Sequence, residues 1–264
     1  MLGHAQRIKG IDPIRLNKDI AYKGDIGKKR QDFCIDYIEK KKRIFKEMQA
    51  DQIRAAAKDS ETITCPKGCA YCCLLYMQAS VQECEAIVYH LYQNESALST
   101  FLENYKDWRK RLRKNGDIFK KCAQSWLDKN ATGAGTEELQ AFVEETKRYQ
   151  GQNIPCPFLH NNLCLIYEVR PFTCVGTVAS TPPEWCNPSN PNGPKIYWSR
   201  TSAVIDKSFY YKEIDGVVLA FMPVMVYGIL ENGYKMLSIV TGLKDLEKKA
   251  LKESQVKAVM ENFT

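Results

Sequence analysis

Apolar side chains recur at helical spacing through much of the first half of the chain. Ile35, Ile38, Ile44, Phe45, Met48 and Ile53 follow that spacing between Asp32 and about Lys58, with no proline between them, and predict a helix. Ahead of it, the first thirty residues are mixed and polar, with glycines at 24 and 27, and read as an irregular arm. Residues 62–66 break the helix. LLYMQAS (74–80) then reads as a short strand, and Ser80 with Glu83 forms a capping-box signature for a helix over VQECEAIVYHLYQ. Cys84, Ile87, Val88 and Leu91 fall on one face of it. Further helical patterns run from Ser96 to about Lys114, from Asp117 to Lys129, and from Thr136 to about Tyr149, the last two separated by the turn-rich KNATGAGTEE.

The pattern changes at Gly151. From there to Pro194 the chain is rich in proline, asparagine and cysteine, an irregular backbone that needs something other than regular hydrogen bonding to hold it. Residues 195–240 alternate like strands in KIYWSRTSAVID, FYYKEI and VVLAFM, with Asp215-Gly216 as a hairpin turn between the last two. Leu243 to Phe263 predicts a closing helix. The fold class is therefore α+β: a mostly helical first half, an irregular cysteine-rich core, then an antiparallel sheet and a C-terminal helix. No internal repeat is visible. The 264 residues suit a single domain, 1–264, with the cysteine core at about 60–190.

Composition adds constraints. Hydrophobic residues at 44% and charged residues at 26% exclude wholesale disorder. The most apolar run, VVLAFMPVMVYGIL (217–230), is interrupted by Pro223 and falls short of the about 20 residues a spanning helix needs, so it reads as core or buried strand. With no secretory signal in MLGHAQRIKGIDPIRLNKD, the expectation is a soluble cytoplasmic protein. The net charge is +7, concentrated in EKKKRIFK (39–46) and WRKRLRK (108–114). These runs read as solvated helix faces, or as a patch for nucleic acid or another acidic partner with Trp108 as a stacking platform.

The cysteines carry the chemistry. Four of the eleven lie in CPKGCAYCC (65–73) and three more in CPFLHNNLCLIYEVRPFTC (156–174). In a reducing compartment clustered thiols bind metal or act in redox chemistry rather than forming disulfides, and an odd count would leave one thiol over. The spacing of Cys65, Cys69 and Cys72 lets a loop wrap a metal or cluster, with Pro66 and Gly68 suited to the turn. Side chains of adjacent residues in extended chain point apart, so Cys72 and Cys73 face two centres, or one of them is not a ligand. Adding Cys156, Cys164, Cys174 and Cys186 gives eight candidates. They divide into two four-thiolate sites, one cluster with a second ion, or one site with spare thiols. Cys34, Cys84 and Cys122 lie within helical patterns and read as core, Cys122 sharing a stripe with Phe119, Ala123 and Trp126. His160 is a conceivable substitute ligand but reads better as a surface turn residue. Tyr167, Glu168, Arg170 and Pro171 read as support for the metal loop, with Arg170 donating to thiolates or pairing with a carboxylate.

These stretches resemble the YkgJ-type cysteine-cluster family, a zinc- or iron-chelating domain recognised by a tight CxxCxxCC-like run, then CPFL, then C-x-I-Y-E-x-R-P-x-x-C. The matches are CPKGCAYCC, Cys156-Pro157-Phe158-Leu159, and the run from Cys164 through Ile166, Tyr167, Glu168, Arg170 and Pro171 to Cys174. They cover about residues 60–186. The chain departs from the family in its first gap, three residues rather than two, and at Val175, where arginine is usual. The resemblance implies a metal centre: an iron–sulfur cluster of the 4Fe-4S kind, or zinc. The flagellin lysine N-methylases resemble this family in sharing the module, which implies by analogy a protein-modifying role with a protein substrate.

Two rival functions stand beside it. Cys65-x3-Cys69-x-Tyr71-Cys72 matches the radical S-adenosylmethionine signature, in which three thiolates hold a four-iron cluster, although helices rather than alternating strands follow it. Alternatively, a closed structural zinc site staples residues 151–194, and the basic runs bind nucleic acid or a protein.

Overall fold

The computed structural model describes residues 12–114, 116, 118–129, 135–199 and 219–233. The polar start is helical rather than irregular. Helix α1 (Pro13–Ile20) begins at Asp12, whose carboxylate accepts the Ile14 N–H at 3.0 Å, with Pro13 in the first turn where its missing N–H costs nothing. Helix α2 (Gly24–Lys58) follows almost at once, eight residues earlier than the apolar stripe suggests. Gly24 starts the helix, and Gly27 marks a close approach rather than a loop. A Cβ on Gly27 would sit 2.6 Å from the carbonyl carbon of Tyr22. Gly27→Ala, which helix propensity alone would favour by about 1 kcal/mol, is therefore expected to destabilise by about 1–3 kcal/mol through overpacking. A urea midpoint that rises instead would show that the α1–α2 corner can relax.

Strand β1 (Gln78–Ser80) leads into α3 (Val81–Tyr92) through the predicted capping box, with Ser80 Oγ accepting the Glu83 N–H at 3.2 Å and Glu83 Oε2 accepting the Ser80 N–H at 2.9 Å. The sequence showed one apolar face on this helix. In the structure, ten of its twelve residues are buried, so α3 is the axle of the fold. Helices α2, α4 (Glu95–Lys114) and α8 (Met222–Asn232) pack around it. Burial on every side is affordable because the acidic residues of α3 find cations. Glu85 pairs with Arg30, and Glu83 with Lys41 at 3.2 Å, all four side chains being almost wholly enclosed. Helices α5 (Ile118–Lys129) and α6 (Thr136–Gly151) pack on one another, and α5 also touches α4.

The described strands are short. Hairpin β2 (Leu159–His160) and β3 (Leu163–Cys164) turns through Asn161 and Asn162, both in the left-handed region that asparagine tolerates. Short helix α7 (Phe172–Val175) precedes β4 (Thr177–Ala179), which pairs antiparallel with β5 (Ile196–Trp198). Strand β6 (Leu219–Phe221) pairs antiparallel with β1 in the register Ala79↔Ala220. The fold is α+β, with three two-stranded antiparallel ribbons among the described residues. The sheet differs from the expected one: β5 and β6 each pair with an earlier strand. The FYYKEI strand, the Asp215-Gly216 turn and the helix over 243–263 lie outside the described residues. The apolar run 217–230 is not one strand, because β6 gives way to α8 with Pro223 in its first turn. No helix among the described residues is long and apolar enough to cross a membrane.

The main core gathers α3, α4 and α8 around Phe101, which stacks on Phe158 with ring centroids 4.2 Å apart. Trp108 belongs to it, 2% exposed, with its indole N–H donating to the Tyr149 hydroxyl at 3.3 Å, so it is no stacking platform for a nucleic acid. A second, smaller cluster of Tyr37, Phe45, Met48 and Ala86 receives Phe172 and Val175 from the cysteine-rich segment.

Candidate metal centre

The first cysteine run is a loop that hangs on β4 and closes in a tight turn. The Thr64 N–H donates to the Ala179 carbonyl at 2.8 Å, and the Ala179 N–H donates to Cys65 Sγ at 3.2 Å. The Cys69 N–H returns to the Pro66 carbonyl at 3.1 Å, through Gly68 at a φ of 91° that suits glycine. Cys72 and Cys73 then lie in a 3₁₀ turn, Tyr71–Leu74. The backbone is not extended here, which removes the geometric reason for their side chains to diverge, and their thiols share a hydrogen bond.

The second run comes to meet the first. The Cys156 N–H donates to the Cys73 carbonyl at 2.7 Å. Cys156 leads through Phe158 into the β2–β3 hairpin, which carries Cys164 opposite Leu159. Cys174 lies in α7, between the anchored side chains of Phe172 and Val175. Cys186 ends a 3₁₀ turn, Pro183–Cys186, that packs against the Tyr71–Leu74 turn. All eight of Cys65, Cys69, Cys72, Cys73, Cys156, Cys164, Cys174 and Cys186 line one cleft of about 1190 Å³. Cys34, Cys84 and Cys122 are fully buried in α2, α3 and α5. Phe119 and Trp126 lie in α5, but their side chains are outside the described set. His160 is exposed and does not line the cleft.

The electrostatics of the eight are those of crowded thiols, with the Arg170 guanidinium acting on several of them. A hydrogen bond from Cys73 pulls Cys72 down to about 7, and the Arg170 guanidinium assists against burial. The same hydrogen bond, then burial, pushes Cys73 up. Burial raises Cys156 and Cys164, partly opposed by the N–H groups of Phe158 and Ile166 that point at their sulfurs. It raises Cys174 as well, reinforced by Cys72, Cys156 and Cys164. Burial lifts Cys186 to about 11, and Cys65, Cys69 and Cys72 add to it. Arg170 lies 4.0 Å over the Tyr167 ring, lines the cleft, and has a buried Nε with no hydrogen-bond partner. That orphaned donor is one a thiolate or a cluster sulfide would satisfy.

Among the described residues no three His, Cys, Asp or Glu side chains stand close enough together to hold an ion as they are placed. The sulfurs ring the cleft and must draw inward to bind. The donor set nonetheless suits a thiophilic metal: eight thiols, N–H groups directed at three of the sulfurs, and a cation to balance negative charge.

The part that two side chains play in this arrangement escaped the sequence reading. Glu83 Oε1 accepts the Phe172 N–H at 2.7 Å as well as Lys41 Nζ, and Lys41 also donates to the Val169 carbonyl at 3.4 Å. Together they clamp the backbone of Val169–Phe172, two residues short of Cys174. Lys41 sits in EKKKRIFK, which reads as a solvated basic run, yet it is 1% exposed and ringed by Tyr37, Phe45 and Phe172. Its only sequence signal is its place one helical turn from Tyr37 and Phe45 on the buried face of α2. Val175, in place of the family's arginine, is buried, and its carbonyl accepts the Gln52 side-chain N–H at 3.0 Å.

No curated protein and no solved structure matches the chain. A family model does, over residues 64–201, just over half the length, and its description is "CxxCxxCC: Putative zinc- or iron-chelating domain". The match takes in all eight cleft cysteines together with the Glu168 to Pro171 stretch beside them. By that extent, and by the thiol-lined cleft it folds into, the chain belongs to the CxxCxxCC family of zinc- or iron-chelating cysteine-rich domains.

Proposed function

We propose that the chain is an iron–sulfur protein whose cluster chemistry takes place in the cysteine-lined cleft. The observation that carries this reading is the size and openness of that cleft, about 1190 Å³ with all eight thiols on its wall. A structural zinc ion needs four thiolates at about 2.3 Å and a closed shell around them. Eight thiols around a wide cleft match the larger volume of a cluster and leave an approach for a reacting partner. The residues that would hold the group are Cys65, Cys69, Cys72, Cys73, Cys156, Cys164, Cys174 and Cys186, and the group would supply one-electron or Lewis-acid chemistry. Arg170, with its unpartnered Nε, would donate to a sulfur of the group and offset its charge. Exposed Ile53, Leu163, Tyr167 and Trp198 on the cleft wall offer apolar contacts to a protein substrate, in keeping with a protein-modifying role. The radical S-adenosylmethionine reading of Cys65, Cys69 and Cys72 finds less support, because the described strands form antiparallel ribbons and not an alternating β/α barrel.

Anaerobic purification followed by iron, zinc and acid-labile sulfide analysis tests the proposal. A brown protein with iron and sulfide in comparable amounts is expected. A colourless protein carrying zinc and no sulfide would favour the structural module instead. Arg170→Gln should then leave the iron content intact but shift the reduction potential to more negative values, because a nearby cation stabilises the more negative reduced state. An unchanged potential in a redox titration would take Arg170 out of that role.

A further inference from the structure

We infer that the eight cleft cysteines form two four-thiolate centres, an outer one of Cys65, Cys69, Cys72 and Cys186 and an inner one of Cys73, Cys156, Cys164 and Cys174. This rests on the metal-binding reading above and deepens it.

Two features of the chain together draw the line. The first is what carries each thiol. Residues 61–76 and 181–194 contain no buried residue, and the outer four all lie on these two segments, as does Cys73, which the backbone assigns to the other group. Cys156, Cys164 and Cys174 lie instead on the stretch 154–179, which is pinned into the hydrophobic cores by Phe158, Ile166, Val169, Phe172 and Val175. Cys156 and Cys164 themselves pack against the main core.

The second feature is the backbone. Cys73 is tied to the inner group by the 2.7 Å bond from the Cys156 N–H to its carbonyl. The outer segments are tied to one another: Thr64 Oγ1 donates to the Thr181 carbonyl, and the turn ending in Cys186 packs on the turn holding Cys72.

Adjacent cysteines on one 3₁₀ turn thus supply different centres, not because their side chains diverge but because different segments arrive on either side of the turn. The outer centre lies on chain with little else to hold it and is the exchangeable one; three of the four inner thiols sit on chain anchored in the core.

The test uses the wild-type protein as purified. It is exposed under anaerobic conditions to a chelator together with a thiol-alkylating reagent, while released metal is counted and labelled cysteines are followed by mass spectrometry. Two phases are expected. Cys65, Cys69, Cys72 and Cys186 should be labelled together as the first portion of metal leaves, and Cys73, Cys156, Cys164 and Cys174 together with the second. Buried Cys34, Cys84 and Cys122 serve as the unlabelled reference. Labelling of all eight in a single phase, or phases that mix the two sets, would overturn the division. As a second measure, Cys186→Ser and Cys174→Ser should each lose about half of the bound metal, four thiolates being the complement of one centre, and the double variant should lose all of it. Singles that already lose everything, while retaining the helical circular dichroism of the wild type, would overturn it as well. The count is made whichever element is released, so zinc in both phases would refute the iron–sulfur reading and leave the division standing.

Discussion

Stripping the metal from the protein is expected to abolish hydrogen-exchange protection over residues 61–76 and 181–194 while α3 and α4 keep theirs. The sequence suggests that the whole irregular stretch, 151–194, depends on metal. The structure narrows this. Residues 154–179 place Ile154, Phe158, Ile166, Val169, Phe172 and Val175 in the cores, so they retain apolar contacts when the metal leaves. Residues 61–76 and 181–194 have no buried residue, and apart from the Thr64–Ala179 and Cys156–Cys73 bonds their backbone hydrogen bonds are short-range turns. Segments with few buried contacts open at low free-energy cost, and a metal bound only to the folded state holds such chain in place. The expected outcome is exchange at close to the rate of unstructured chain in these two segments of the apoprotein, with 154–179 intermediate. Equal protection with and without metal in 61–76 and 181–194 would mean that the metal does not hold them.

Glu83→Ala should cost about 3–5 kcal/mol, the range for breaking a buried ion pair from one side. The Glu83 carboxylate accepts from Lys41 Nζ at 3.2 Å, the Phe172 N–H at 2.7 Å, the Ser80 N–H at 2.9 Å and Ser80 Oγ at 3.2 Å. Removing it leaves the Lys41 ammonium enclosed, with the Val169 carbonyl and three aromatic rings as its remaining partners. Burial already pulls Lys41 below the usual lysine range, with Glu83 opposing that pull, so losing Glu83 favours the neutral amine further. Lys41→Met should cost less, because Glu83 keeps three donors and the methionine fills the same apolar slot. The double variant should recover much of the loss, since replacing both partners of a buried pair with apolar groups is often close to neutral. Urea midpoints of the three variants measure this directly. Equal losses for the two single variants would contradict the asymmetry. Because the same carboxylate holds Phe172, Glu83→Ala should also weaken metal retention through Cys174.

What could be read from the sequence was local. The Ser80–Glu83 capping box spans three residues, and the cysteine runs announce themselves by spacing, so the α3 start and the eight thiols of the cleft were all in view. The other role of Glu83 was not, because Lys41 and Phe172 lie 42 and 89 residues away and no local pattern marks that meeting. The same reason hides strand pairing: β1 meets β6 across more than a hundred residues, and each contributes only three positions, too few for alternation to register. Helix α1 was missed, the first thirty residues reading as an irregular arm although Asp12-Pro13 marks a helix start, and Gly24 and Gly27 were read as loop residues rather than as a helix start and a close packing point. Trp108 illustrates the converse error. A tryptophan at the head of a basic run suggests a stacking platform, whereas α4 turns it inward to Tyr149 and leaves the cations outside.

Iron K-edge X-ray absorption on the anaerobically purified protein tests the central claim most directly. An iron–sulfur centre held by the cleft cysteines predicts a first shell of sulfur alone and a clear iron–iron scattering path, both lost when Cys156 and Cys186 are replaced together by serine. Absorption at the zinc edge instead, with four sulfurs and no metal–metal path, would contradict it.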